Sequence, residues 1–122
     1  MPNQDAVVWY LRVSQEPTKN VIVLTAAGRV SSLTAPQLET ALDSAVASPA
    51  RGVVLDLSGV DYISSPGLRA VDKASSLLAA AGRRLVVCGL TDAVRLAFGL
   101  AGLEPSIATE ASTESAISTA GA

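Results

Sequence analysis

Val53 to Leu57 reads VVLDL, short, β-branched and almost unbroken, as a central strand covered on both faces must be. Such a strand demands apolar layers above and below it, and the flanking segments offer helices. Before it, Leu38, Ala41, Leu42, Ala45 and Val46 fall at helical spacing behind Pro36, which gives the first helix one apolar face. Ser48, Pro49 and Gly52 close that helix. After the strand, a Ser-Ser-Pro-Gly turn opens a second helix through Leu68, Val71, Ser75 and Leu78, with Gly82 as its left-handed stop.

The same alternation continues to the end of the chain. Leu85 to Cys88 reads as a second buried strand, and Thr91 or Asp92 caps a third helix whose Val94, Ala97, Phe98 and Ala101 form one stripe before Gly102. Ser106 to Thr109 forms a weak strand and Thr113 to about Ala120 a short helix, with a frayed Gly-Ala end. At the other end, Ala6 to Val13 and Val21 to Val30 read as a hairpin, with Glu16, Pro17, Lys19 and Asn20 as turn material. Strand-helix alternation after a hairpin implies right-handed parallel crossovers in an α/β fold, a mixed sheet of four to five strands with helices packed against it.

At 122 residues the chain fits one domain over residues 1–122, with a core of about 6–110. Aromatics supply only 3% of it, so Ala, Val and Leu must build that core. The net charge of −2, with basic residues scattered apart from Arg83-Arg84, lacks the phosphate attraction that nucleic-acid binding needs. Charged residues or glycine interrupt every apolar stretch well before the roughly 18 residues that span a bilayer, and MPNQDAVVWY lacks a signal-peptide pattern. A cytoplasmic protein, monomer or weak dimer, without nucleic-acid partner or direct membrane insertion, is the expectation.

Histidine is absent and cysteine occurs once, which removes the commonest general base, Ser-His-Asp and Cys-His arrangements, disulfides and multi-cysteine metal sites. Cys88 lies in the apolar run LVVCGL and reads as a small buried hydrophobe. Asp56, Asp61 and Asp72 fall in a strand, a turn and a helix with no spacing that converges them. The glycines match no phosphate-binding motif. No catalytic residue, metal or cofactor follows from these residues, and Trp9 and Tyr10 read as packing residues of the first strand.

The Ser-Ser-Pro-Gly turn remains. A helix N-terminus presents amides without intrahelical partners at the positive end of the peptide dipoles, which favours an anion. Pro66 suits the first helical position, which makes Ser65 the expected N-cap, and Gly67 lets a partner backbone come close. Ser65 then either only caps the helix or accepts a phosphate, whose roughly −1.5 to −2 charge would act on a docked partner.

Gly28, the Thr34-Ala35-Pro36-Gln37-Leu38 opening of the first helix, VVLDLSGVDYI with Ser64-Ser65-Pro66-Gly67-Leu68-Arg69, Gly82 with LVVCGL, and AVRLAFGLAGL occur in an order that resembles the STAS domain family, typified by bacterial anti-sigma factor antagonists. The resemblance spans nearly the whole chain. It implies a non-enzymatic regulator that binds an anti-sigma factor with serine kinase activity and frees a sigma factor. The family's phosphorylated turn typically reads Asp-Ser-Ser-Gly-Leu, with the second serine as acceptor. Aligned on Gly67-Leu68, that position holds Pro66, Ser64 replaces the aspartate, and Ser65 matches the preceding serine.

Either Ser65 or Ser64 takes over as acceptor, with Ser65 preferred, or the chain is a binder without a switch. The partner-contacting residues implied are Ser31, Ser32, Ser64, Ser65, Pro66, Gly67, Leu68, Arg69 and Asp72, with Leu68 expected to turn toward the core. The loop Arg29-Val30-Ser31-Ser32 lacks the acidic residue that the family often carries there. An alternative within the same resemblance is a STAS subunit of a lipid-transport or other assembly. A serine hydrolase built on Ser65 lacks both a histidine and a lysine partner near the turn.

Overall fold

The computed structural model describes residues 10–103 and 106–122. Its elements in chain order are β1 (Leu11–Thr18), β2 (Val21–Val30), α1 (Ala35–Ala47), β3 (Gly52–Ile63), α2 (Ser65–Ala80), β4 (Arg84–Cys88), α3 (Asp92–Leu100), β5 (Ala108–Glu110) and α4 (Thr113–Gly121). The five strands lie in sequence order, β1-β2-β3-β4-β5. Only β1 with β2 is antiparallel; the other neighbours are parallel, as crossover helices require.

Alternation along the strands explains the unbroken apolar runs. Ile22, Leu24, Val53, Leu55, Leu85 and Val87 point into the larger core with the buried faces of α1, α2 and α3. Val21, Val23, Val54, Val86 and Cys88 point the other way, onto Ala116 and Ala120 of α4. Helices therefore cover both faces. Leu38, Leu42 and Ala45 of α1, Val71 and Leu78 of α2, and Val94 and Phe98 of α3 are enclosed as the periodicity requires. Each Leu or Val so placed is stabilised by about 1.5–3 kcal/mol relative to water. Gly82 and Gly102 have φ of +72° and +73°, the left-handed stops of α2 and α3.

Several expectations need correction. The hairpin turns at Lys19 and Asn20 alone, with Lys19 at φ 55°, while Glu16 and Pro17 pair with Val23 and Ile22 inside β1. Pro17 is tolerated because β1 is an edge strand. Residues 6–9 of the expected first strand, Trp9 included, lie outside the described residues. Tyr10 is not a packing residue, for it is 56% exposed.

β3 runs past the expected end at Leu57 to Ile63, so Asp61, expected in a turn, is a strand residue. Its register against β2 shifts between Thr25 and Ala27 and again between Gly28 and Arg29, which inserts extra residues into β3 between Asp56 and Gly59 and at Asp61. Ala101, expected in the α3 stripe, is its exposed C-cap. The closing Gly-Ala is held, since the Asn20 side-chain amide donates to the Gly121 carbonyl (3.4 Å) and Arg51 Nε to the Ala122 carbonyl (3.2 Å).

Candidate functional site

The bulged ends of β2 and β3 bring the starts of α1 and α2 side by side. The Ser64 N–H donates to the Val30 carbonyl at 2.7 Å, which holds Ser64 extended (φ −82°, ψ 168°) as β3 ends. The chain enters α2 at the next residue. The cap is therefore Ser64 and not Ser65: its Oγ accepts the Gly67 N–H at 3.4 Å, and it is 5% exposed. Pro66 stands at the second helical position and contributes no N–H, so the Gly67 amide is the donor left for the cap.

This shift by one residue separates the two serines. Ser64 is enclosed and engaged, whereas Ser65, first residue of α2, is exposed. Gly67 is buried, and its neighbours belong to the chain itself: a Cβ there would stand 2.6 Å from Val30 Cγ1 and 2.9 Å from Ile63 Cγ1. The expectation that Gly67 admits a partner backbone is thus replaced by an internal close approach.

Across from α2, the loop before α1 is fixed by its own hydroxyls. The Ser31 N–H donates to Thr34 Oγ1 (2.9 Å), Ser31 Oγ accepts the Leu33 and Thr34 N–H groups (3.2 and 3.3 Å), and Thr34 Oγ1 donates to the Arg29 carbonyl (2.6 Å). Ser31 is half-buried in this network and Ser32 is exposed. The network raises Leu33 into solvent, where it is 89% exposed. Sequence reasoning missed Leu33. Its signal was an apolar side chain in a polar turn, outside the stripe that starts at Leu38.

Arg69 stands between two hollows. One, toward α1, is lined by Ser32, Ala35, Pro36, Glu39, Pro66, Arg69, Ala70 and Lys73. The other, toward the end of α3, is lined by Ser65, Leu68, Arg69, Asp72, Ala101 and Leu103. Leu68 is half-buried, packed against the core while still facing this second hollow, and Arg69 and Asp72 are exposed. Ser32, Ser65, Pro66, Leu68, Arg69 and Asp72 thus share one face, with Ser31, Ser64 and Gly67 supporting it from beneath. At its α1 edge Lys73 pairs with Glu39 (3.5 Å) and Asp43 (3.6 Å), and these carboxylates, Asp43 foremost, raise its pKa.

Nothing converges the three aspartates. Asp56 accepts the Ser58 N–H (2.9 Å) and the Thr113 hydroxyl (3.3 Å), Asp61 is exposed on β3, and Asp72 is on α2. Among the described residues no group of three His, Cys, Asp or Glu side chains is placed to hold a metal, and no helix is long and apolar enough to cross a membrane.

A five-stranded mixed sheet with this helix order, and a serine pair where β3 passes into α2, defines a small α/β domain. The STAS domain family model matches residues 12–116, and the chain belongs to that family. BtrV of Bordetella bronchiseptica, named as a candidate anti-sigma factor antagonist, is 36% identical over 92 residues, 75% of this chain and 79% of its own length. An anti-sigma factor antagonist from Mycobacterium paratuberculosis superposes with a TM-score of 0.83 at 25% identity, covering 91% of this chain and 94% of that one. The anti-sigma factor antagonist SpoIIAA in its unphosphorylated form shares the fold, with a TM-score of 0.75 at 20% identity over 88% of this chain and 95% of its own.

Proposed function

We propose that the chain is a non-enzymatic anti-sigma factor antagonist that binds an anti-sigma factor with serine kinase activity through the face formed by Ser32, Ser65, Pro66, Leu68, Arg69 and Asp72. The relative and the solved structure that carry that name support the class of partner. The observation that carries the regulatory part is the exposure of Ser65 beside an enclosed, hydrogen-bonded Ser64. Of the two hydroxyls left once Pro66 occupies the usual acceptor position, Ser65 is the one a kinase reaches.

A phosphate on Ser65 would lie at the first turn of α2, where the positive end of the helix dipole favours negative charge, so the fold tolerates it. The same charge stands at the rim of the hollow formed with Leu68, Ala101 and Leu103, where a docked apolar or acidic surface would have to desolvate or face it. Release of the partner follows from local electrostatics, without a conformational change.

The test is to mix the purified protein with serine-kinase anti-sigma factors from the same genome, with and without ATP. Binding without ATP, then phosphate on Ser65 located by mass spectrometry together with loss of binding, is expected. Binding with no modification of Ser65 would leave a binder without a switch, and absence of any binding would remove the function.

A further inference from the structure

We propose that the arginine–tyrosine patch at the adjoining ends of β1, β2 and β3 is a second docking surface, which receives a carboxylate-bearing segment of the same protein partner that meets Ser65; this rests on the docking function above. The chain contains two tyrosines, and both are exposed, Tyr10 at 56% and Tyr62 at 41%. A chain so poor in aromatics gains no core from leaving these two rings in water.

Each ring carries an arginine. The Arg29 guanidinium carbon stands 4.1 Å from the centroid of Tyr62, and that of Arg12 stands 5.5 Å from the centroid of Tyr10. The backbone locks the two pairs together, since the Arg29 N–H donates to the Tyr10 carbonyl (3.1 Å) and Arg29 lies opposite Tyr62 in the β2–β3 ladder. The patch also joins the Ser65 face, because Thr34 Oγ1 bonds the Arg29 carbonyl and the Ser64 N–H bonds that of Val30.

Its charge names the occupant. Among the described residues the ion pairs within 4.0 Å are those of Lys73 with Glu39 and Asp43, so neither Arg12 nor Arg29 meets a carboxylate of a described residue. Asp61 lines the same hollow as Arg12 and Tyr10 without pairing. A guanidinium stacked on a ring has surrendered part of its rotamer freedom in advance and still offers a planar fork to a carboxylate. Tyr and Arg are also the residues that dominate binding hot spots.

The experiment titrates an anti-sigma factor that binds the wild type against Arg29→Glu, Arg29→Lys, Tyr62→Ala and Ser65→Glu, at low and high salt. Arg29→Glu is expected to weaken binding at least about tenfold and to flatten its salt dependence, with Arg29→Lys in between and the melting temperature unchanged. Arg12→Glu, measured beside them, is expected to lose affinity in the same direction, and it stands in for Tyr62→Ala should that variant unfold the strand end. Wild-type affinity in both charge reversals, while Ser65→Glu abolishes binding, overturns the patch and leaves the docking function standing. A wild type that binds no anti-sigma factor overturns the docking function, and the patch with it.

Discussion

Ser64 Oγ accepts the amide of Gly67 at 3.4 Å, while the backbone N–H of the same serine is held 2.7 Å from the Val30 carbonyl. One residue therefore ends β3, ties it to β2 and starts α2. Replacing Ser64 by alanine leaves the Gly67 N–H without its cap and should lower stability by about 1 kcal/mol in chemical denaturation. Ser65→Ala, at an exposed position with no bond to lose, should stay within about 0.5 kcal/mol of wild type. Kinase labelling should show the reverse pattern, abolished in Ser65→Ala and retained in Ser64→Ala.

Gly67 tests how tightly the helix start is seated. An alanine methyl would press on Val30 and Ile63 at 2.6 and 2.9 Å, an overpacking cost of about 1–3 kcal/mol. Against this stands the gain of roughly 0.8–1 kcal/mol for replacing glycine within a helix. Crowding outweighs the helix preference, so Gly67→Ala should melt at a lower temperature than wild type. A higher melting temperature would mean that the ends of β2 and β3 yield more easily than their packing suggests.

The parts of the fold that were legible in the sequence are those governed by local periodicity. VVLDL and LVVC alternate between two cores, and every residue but Asp56 is apolar because both faces are covered, which reads directly as a buried strand. Gly82 and Gly102 were legible because a left-handed stop has a residue preference of its own. Asp61 misled because a residue that favours a turn also fits a bulge, and only pairing with β2 distinguishes the two. The cap was misplaced by one residue for a similar reason. Pro66 fits either of the first two helical positions, and the bond from Ser64 to Val30, which decides between them, joins residues far apart in sequence. The pairing of Arg29 with Tyr62 is likewise a product of register.

Arg83 reads in the sequence as half of the basic pair that stands out among scattered basic residues, yet it is an anchor. Its Nε donates to the Ala50 carbonyl (2.7 Å) and its Nη1 to the Val46 carbonyl (2.8 Å), so one guanidinium ties the end of α1 to the approach to β3. Its Nη2 is buried without a partner among the described residues. A lysine ammonium cannot reproduce the fork, and Arg83→Lys should cost about 1–3 kcal/mol even though it removes that idle donor. Urea unfolding of Arg83→Lys beside Arg84→Lys checks this, with the exposed neighbour expected to be nearly neutral. Equal stability of the two variants would assign the carbonyls another partner.

Cys88 gives the protein an alkaline limit. Burial against α4 raises the thiol pKa above its ordinary value, the Thr113 hydroxyl 3.9 Å away offsets part of that rise, and Asp56 adds to it. A group whose folded pKa is raised binds its proton more tightly in the native state than in the unfolded chain. Its contribution to stability is complete below the ordinary thiol pKa of about 8.5 and fades as pH climbs through the higher folded value. The melting temperature of the wild type should therefore fall more steeply above pH of about 8.5 than that of Cys88→Ala, which starts lower because of the cavity it opens. Maleimide labelling of the native protein should be slow and should accelerate in step with the unfolded fraction as urea is added. Rapid labelling in the absence of denaturant would show that α4 opens on its own and leaves the thiol within reach of water.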